Sequence, residues 1–290
     1  MKVAVLGPNG QLGSDLIRAF TEAGKYEVVP LAHAQVEVAD PGSVRRLMAK
    51  VYPNIVVNCA AFHRVDECED RPEEAFRVNA LGALHVARVC AELDALCVYI
   101  STDYVFDGEK EEPYTEEDTP CPINVYGTSK VAGEHLVRRA CPRWLIVRVA
   151  SLFGKAGARG KGGNFVETIL AKVRAGECLR VVNDIRMSPT YTYDAARALE
   201  RLIRQGATGL FHLTNGGTCT WYEFARKVFD LVGLDANLEP ISSQDYPTKV
   251  PRPKNSSLRS VRLLLNDPLR PWEEALEAYL VEKGHIKAQR

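Results

Sequence analysis

Short apolar runs alternate with longer amphipathic stretches along this chain of 290 residues. The first run, Lys2-Val-Ala-Val-Leu6, predicts a strand and leaves no room before it for a signal peptide. A helix is predicted over 12–23, a strand over 26–30, and a helix over 41–51 that Asp40 can cap. A strand over 54–58 follows, then a long helix over 72–93 containing Asn79, then the apolar run Leu96-Cys-Val-Tyr-Ile100 ending at Ser101. Next come a helix carrying Tyr126 and Lys130 and a strand over 144–149. Further on, helices are predicted over 165–175, 194–204 and 220–232, with strands over 179–182 and 209–213. The remainder is rich in proline and loops before a final helix over 271–283. No internal repeat interrupts this order.

Such alternation predicts an α/β fold built on a parallel sheet. The turn after the first strand narrows it further. Gly7-Pro-Asn-Gly10-Gln-Leu-Gly13 joins a strand to a helix, where glycines let the backbone approach a pyrophosphate at the helix N-terminus. The spacing is G-x-x-G-x-x-G, so the commoner dinucleotide fingerprint is only partly matched. A Rossmann-type doubly wound parallel sheet with a smaller interleaved C-terminal substrate region fits this pattern. Residues 1–153 form its nucleotide-binding part, with a strand and helix returning from about 192–215, and 154–191 and 216–290 form the substrate region. The end of the second strand carries neither the acid that binds a ribose nor an arginine for a 2′-phosphate. NADH and NADPH therefore both remain open. Small residues in Cys59-Ala-Ala61 would let a flat ring approach the third strand's end, although small residues also simply pack.

Tyr126 and Lys130, four residues apart, share one helix face, with Ser101-Thr102-Asp103 at a strand end upstream. A cation near a phenol favours the phenolate and lowers a pKa of about 10. Tyr126 could then give a proton to a developing alkoxide while Thr102 hydrogen-bonds the same oxygen. The Tyr-x-x-x-Lys spacing alone is unspecific, since any helix exposing both residues matches it.

Composition excludes several function classes. Lys plus Arg equals Asp plus Glu at 37 each, so no basic field argues for nucleic acid. No run approaches a membrane span. The eight cysteines are scattered without C-x-x-C pairs and read as reduced, mostly buried thiols of a cytoplasmic protein. The Gly-, Lys- and Arg-rich segment 154–163 is expected to be a mobile loop, either over an anionic ligand or as a solvated linker.

The motifs taken together resemble the dTDP-4-dehydrorhamnose reductase family of extended short-chain dehydrogenase/reductases. They are Gly10-Gln-Leu-Gly13, Val57-Asn-Cys-Ala-Ala61, Ser101-Thr-Asp-Tyr-Val-Phe-Asp-Gly108, Pro122-Ile-Asn-Val-Tyr-Gly127 with Lys130, Asn164-Phe165, Ser188-Pro-Thr-Tyr191, and His212-Leu-Thr-Asn215 with Trp221-Tyr-Glu-Phe224. The resemblance spans nearly the whole chain. It implies a reductase that uses NADH or NADPH on the 4-keto group of a nucleotide-linked deoxysugar, with Thr102, Tyr126 and Lys130 catalytic. Lys130 would also bind the nicotinamide ribose. The same resemblance puts Gly7, Gly10, Gln11, Leu12, Ala61 and Phe62 at the cofactor, and Glu37 and Val38 at its adenosine. Asp103 and Ser151 would meet the sugar, and Arg252 a diphosphate. It also admits a homodimer.

Two positions depart from the family pattern. Ser151 stands where the family has a sugar-packing Trp, which leaves the sugar undetermined. The family's divalent-ion site has no secure counterpart: Asp15 is a candidate ligand, Tyr193 stands where a further carboxylate would be needed, and no metal is expected. Two rivals stay open. One is a non-catalytic regulatory subunit resembling that of methionine adenosyltransferase. The other is a sugar-nucleotide epimerase or dehydratase, though Tyr104 follows Asp103 where a dehydratase carries its base.

Overall fold

Six parallel strands form one sheet, ordered across its width as Gly209–His212, Trp144–Val149, Leu96–Thr102, Ile55–Asn58, Lys2–Leu6 and Glu27–Leu31. The computed structural model describes residues 1–157, 163–246, 248–263 and 268–287. Ile55–Asn58 and Leu96–Thr102 are buried at every position, as strands covered on both faces must be. The chain enters mid-sheet at Lys2–Leu6, moves out to Glu27–Leu31, then crosses back to Ile55–Asn58. The carboxyl ends of these two central strands therefore open on a crevice where the strand order reverses, the usual ligand position in doubly wound sheets. The expected Rossmann-type architecture is present.

Helices cover both faces. On one, Gln11–Glu22 lays Leu12, Leu16, Ala19 and Phe20 against Leu199, Leu202 and Ile203 of Thr192–Arg204. Those positions recur at three- and four-residue intervals, which aligns them in one apolar stripe. On the other face, Met48 of Pro41–Val51 packs with Val86 of Gly82–Glu92 and Val137 of Val125–Ala140. A separate core joins the helices Phe165–Arg174, Trp221–Val232 and Trp272–Glu282 around Leu179–Val182, which pairs in parallel with Leu238–Ile241.

Three elements differ from the sequence expectation. The helix expected over 72–93 is interrupted by a π segment, Arg77–Leu81, between Pro72–Phe76 and Gly82–Glu92. Two tertiary contacts accompany the wide turn. The Asn79 carbonyl accepts the Tyr99 hydroxyl at 2.8 Å, and Gly82 abuts Val38, whose Cγ2 would lie 3.0 Å from an added Cβ. Such single-turn π segments recur near functional sites. Val65–Asp70 is a further short helix, announced by no apolar stripe. Leu238–Ile241 is a strand despite Pro240, which an edge position tolerates because no ladder N–H is needed there.

All eight cysteines are free, and Cys68, Cys90, Cys97, Cys141 and Cys219 are buried. Among the described residues no helix is long and apolar enough to cross a membrane. Of the glycine-rich segment expected to be a mobile loop, residues 158–162 lie outside the described residues.

Candidate active site

Val125–Ala140 starts at Asn124, whose side chain accepts the Gly127 N–H at 2.8 Å. Gly127 presses on the turn Asp103–Val105, where an added Cβ would stand 2.0 Å from the Tyr104 carbonyl oxygen. Only glycine permits that approach, which draws the helix N-terminus and Tyr126 toward Thr102 at the strand end. One turn on, the Lys130 ammonium donates to the Ile100 carbonyl at 2.6 Å and lies 4.1 Å from the Tyr99 ring centre.

Electrostatics at this point correct one expectation. Burial raises the Tyr126 phenol above its ordinary value; the neighbouring Thr102 hydroxyl lowers it, and the Asp103 charge raises it. Lys130 was expected to lower this phenol, but its ammonium is turned onto Ile100, and the neighbour favouring the phenolate is Thr102. Burial pulls Lys130 itself down to about 7, against the opposing charge of Glu134. Asp103 is buried and accepts the Thr102 hydroxyl at 2.9 Å. Its burial pushes the carboxyl up to about 6, with hydrogen bonds from Ser256 and Thr102 opposing.

These groups line a cleft of about 720 Å³. At one end stand Gly7, Gly10, Gln11, Leu12 and Ala61. Gly7 has φ +75°, and a Cβ on Gly13 would sit 2.2 Å from the Gly7 carbonyl oxygen. No side chain caps Gln11–Glu22 at Gly10, so its leading N–H groups are open to an anion. The buried Gln11 Oε1 has no partner. This end suits a dinucleotide pyrophosphate.

Ser151 and Arg252 also line the cleft, with an aromatic wall made by Phe165 and Trp221, whose rings meet edge to face at 4.8 Å. Ser151 has φ +41°, a left-handed backbone that is uncommon outside glycine. An Arg252 Nη2 lies 3.3 and 3.4 Å from the Asp66 carboxylate oxygens, while its Nε is buried without a partner. Three residues expected at the cofactor, Glu37, Val38 and Phe62, do not line this cleft. Glu37 accepts the Ala39 N–H at 2.8 Å and Val38 is buried against Gly82. Phe62 is held by Asn79, which accepts its N–H at 2.8 Å and donates to its carbonyl at 3.0 Å. Asp15 is buried and accepts the Thr192 hydroxyl, and Tyr193 donates to Glu22 at 2.5 Å.

Phe165 and Trp221 were legible only as parts of motifs, not as lining residues. Their place in the cleft depends on the third core, which local pattern does not specify.

A sequence profile of the RmlD substrate binding domain matches residues 1–284. The spore coat polysaccharide biosynthesis protein SpsK of Bacillus subtilis is 40% identical over 285 residues, covering 98% of each chain. The solved dTDP-4-dehydrorhamnose reductase of Clostridium acetobutylicum is 36% identical with a TM-score of 0.92, covering 98% of this chain and 100% of its own. The Bacillus anthracis dTDP-4-dehydrorhamnose reductase, solved in complex with NADP, is 36% identical with a TM-score of 0.91, covering 97% and 99%.

Proposed function

The chain belongs to the RmlD substrate binding domain family, and from that premise we propose that it is an NAD(P)H-dependent reductase of a nucleotide-linked 4-keto deoxysugar. The substrate is dTDP-4-dehydrorhamnose and the product dTDP-rhamnose. One observation carries this reading: Thr102, Tyr126 and Lys130 line the same cleft as the glycine cradle of Gly7 and Gly10. The names of the similar reductases, one of them solved with NADP, support it. The sheet residues to 153, with 192–215, hold the cofactor, and 154–191 with 216–290 hold the sugar nucleotide.

When bound, the reduced dinucleotide supplies the hydride. The protein's own groups do the rest. Gly7, Gly10, Gln11 and Leu12 take the pyrophosphate at the open helix end. Tyr126 donates its phenolic proton to the carbonyl oxygen as that oxygen gains charge. Thr102 turns its hydroxyl from Asp103 to the same oxygen, exchanging one hydrogen bond for another and fixing the carbonyl's orientation. Lys130, whose ammonium donates to the Ile100 carbonyl, turns one N–H to the cofactor ribose. Arg252, beside Asp66, meets the diphosphate of the substrate.

The test is an assay of the purified chain with dTDP-4-dehydrorhamnose and either NADPH or NADH. Equimolar loss of reduced cofactor and ketosugar is expected. A changed sugar with the cofactor unconsumed would mark an epimerase. No turnover over a panel of nucleotide ketosugars, together with copurification of a partner enzyme, would mark a regulatory subunit.

A further inference from the structure

We propose that Glu134 is a positioning residue that holds Lys130 in its ammonium form, at the head of a buried line of charges running across the sheet. The inference rests on the reading of Lys130 as part of the active site.

Lys130 and Glu134 are four residues apart on the inward face of Val125–Ala140, each 2% exposed. Both oxygens of Glu134 are held by the guanidinium fork of Arg148, Nε to Oε1 at 2.8 Å and Nη2 to Oε2 at 2.7 Å. Such a bidentate pair fixes the carboxylate's orientation as well as its charge. Arg148, on Trp144–Val149, is 1% exposed and lies in register with His212 on the neighbouring strand.

The state of His212 follows from its neighbours. Its Nδ1 faces the carbonyl oxygens of Tyr114 and Arg259, each at 3.2 Å. Carbonyl oxygens only accept, so Nδ1 carries the hydrogen and Nε2 offers its lone pair to Arg148 Nη1 at 3.4 Å. Burial, with Arg148 adding to it, pulls this imidazole down to about 4, so it is neutral at physiological pH. The line thus reads cation, anion, cation, neutral ring. Beyond it, Glu116 accepts the His212 backbone N–H at 2.8 Å.

Lys130 is faced by few other groups. From Leu96–Thr102 come the Tyr99 ring and the Ile100 carbonyl, and from the end of Ile55–Asn58 the Cys59 thiol. Burial keeps the phenols of Tyr99 and Tyr126 and the Cys59 thiol protonated at neutral pH. Glu134 is therefore the anion facing Lys130 among the described residues, and Arg148, with Arg138 of the same helix acting more weakly, sets how much of its charge is felt.

This arrangement demands shifts of opposite sign. Glu134→Gln leaves Arg148 uncompensated and should make Lys130 lose its proton about tenfold more readily, or more, a full pH unit downward. Arg148→Met removes the cation that grips Glu134, leaving the weaker charge of Arg138 near it, and should move the same titration upward. The measurement is an NMR titration of the full-length chain with carbon-labelled lysine, with and without NADPH, assigned by loss of the signal in Lys130→Met. It needs no turnover, so it stands apart from the assay of the reductase reading. A purely structural ion pair would leave the Lys130 titration unmoved in both variants, and that result overturns the proposal. If Glu134→Gln fails to fold, Arg148→Met decides alone: an upward shift supports the proposal, and none refutes it. The pH profile of turnover should lose its alkaline limb about one unit earlier in Glu134→Gln, a change that lost packing alone would not produce.

Discussion

The Thr102 hydroxyl donates to the Asp103 carboxylate at 2.9 Å, in a place where Asp103 is 4% exposed. A carboxylate this buried costs the fold stability, and the cost depends on pH. Its folded pKa of about 6 lies above the ordinary 3.8, so the folded state binds the proton more tightly. Stability is therefore undiminished below the unfolded value and falls as pH rises through about 6. Roughly two units correspond to about 3 kcal/mol. Asp103→Asn should melt higher than the parent at about pH 8, with the gap closing toward about pH 4. Thermal unfolding across that range checks it, and a constant gap would contradict the burial cost.

Tyr126→Phe should lower turnover by about 10²-fold or more, the usual scale for losing a positioned proton donor. Cofactor affinity should hardly change, because the hydroxyl meets the substrate. Near-normal turnover would remove Tyr126 from the mechanism.

Lys130→Met should weaken both rate and cofactor affinity, while raising stability at neutral pH. The sign follows from its depressed folded pKa of about 7 against 10.5. Between those values the unfolded chain binds the proton and the folded chain does not, so stability rises with pH there and is lowest below about 7. The methionine variant should therefore gain most in mildly acidic buffer. A variant less stable than the parent in that buffer would contradict this reading.

Gly13→Ala tests the cradle. A methyl group 2.2 Å from the Gly7 carbonyl oxygen forces the glycine turn to shift. NADPH binding should weaken about tenfold or more, seen by fluorescence titration, since the cradle depends on close backbone approach. Unchanged affinity would place the dinucleotide elsewhere.

Local signals made much of the fold legible. Asp40 and Pro41 mark a helix start, and the observed helix Pro41–Val51 has the expected bounds, with Asp40 accepting the Gly42 N–H. Tyr126 and Lys130 share a face because four-residue spacing guarantees it in any helix. What local pattern lacked was contact between distant segments. The π segment depends on Tyr99 and Val38, Arg148 meets Glu134 only once strand and helix pack, and Lys130 points to a carbonyl that no motif specifies. The aromatic wall likewise joins Phe165 and Trp221 across 56 residues of chain (221 less 165).

Ser151 tests where the sugar of the proposed reaction lies. It lines the cleft with φ +41°, and a serine there offers no aromatic surface. Phe153 does not fill the gap: it is 2% exposed and stacks on Tyr191 at 5.7 Å, inside the third core. Phe165 and Trp221 are aromatic side chains that line the cleft and offer a sugar a ring surface. Ser151→Trp would add a ring against the sugar, worth on the order of 1–2 kcal/mol of apolar contact at about 25 cal/mol per Å². The left-handed backbone already costs Ser151 about 1–2 kcal/mol of stability, and a bulky side chain is tolerated there less well than serine. The variant should thus melt lower than the parent yet bind dTDP-4-dehydrorhamnose several-fold more tightly. Ser151→Gly should melt slightly higher and leave the Michaelis constant unchanged. Trp221→Ala, removing the wall already present, should raise that constant. Should the Michaelis constant be the same in Ser151→Trp and Trp221→Ala as in the parent, neither side chain faces the sugar, and the substrate would have to lie along the Arg252 side of the cleft instead.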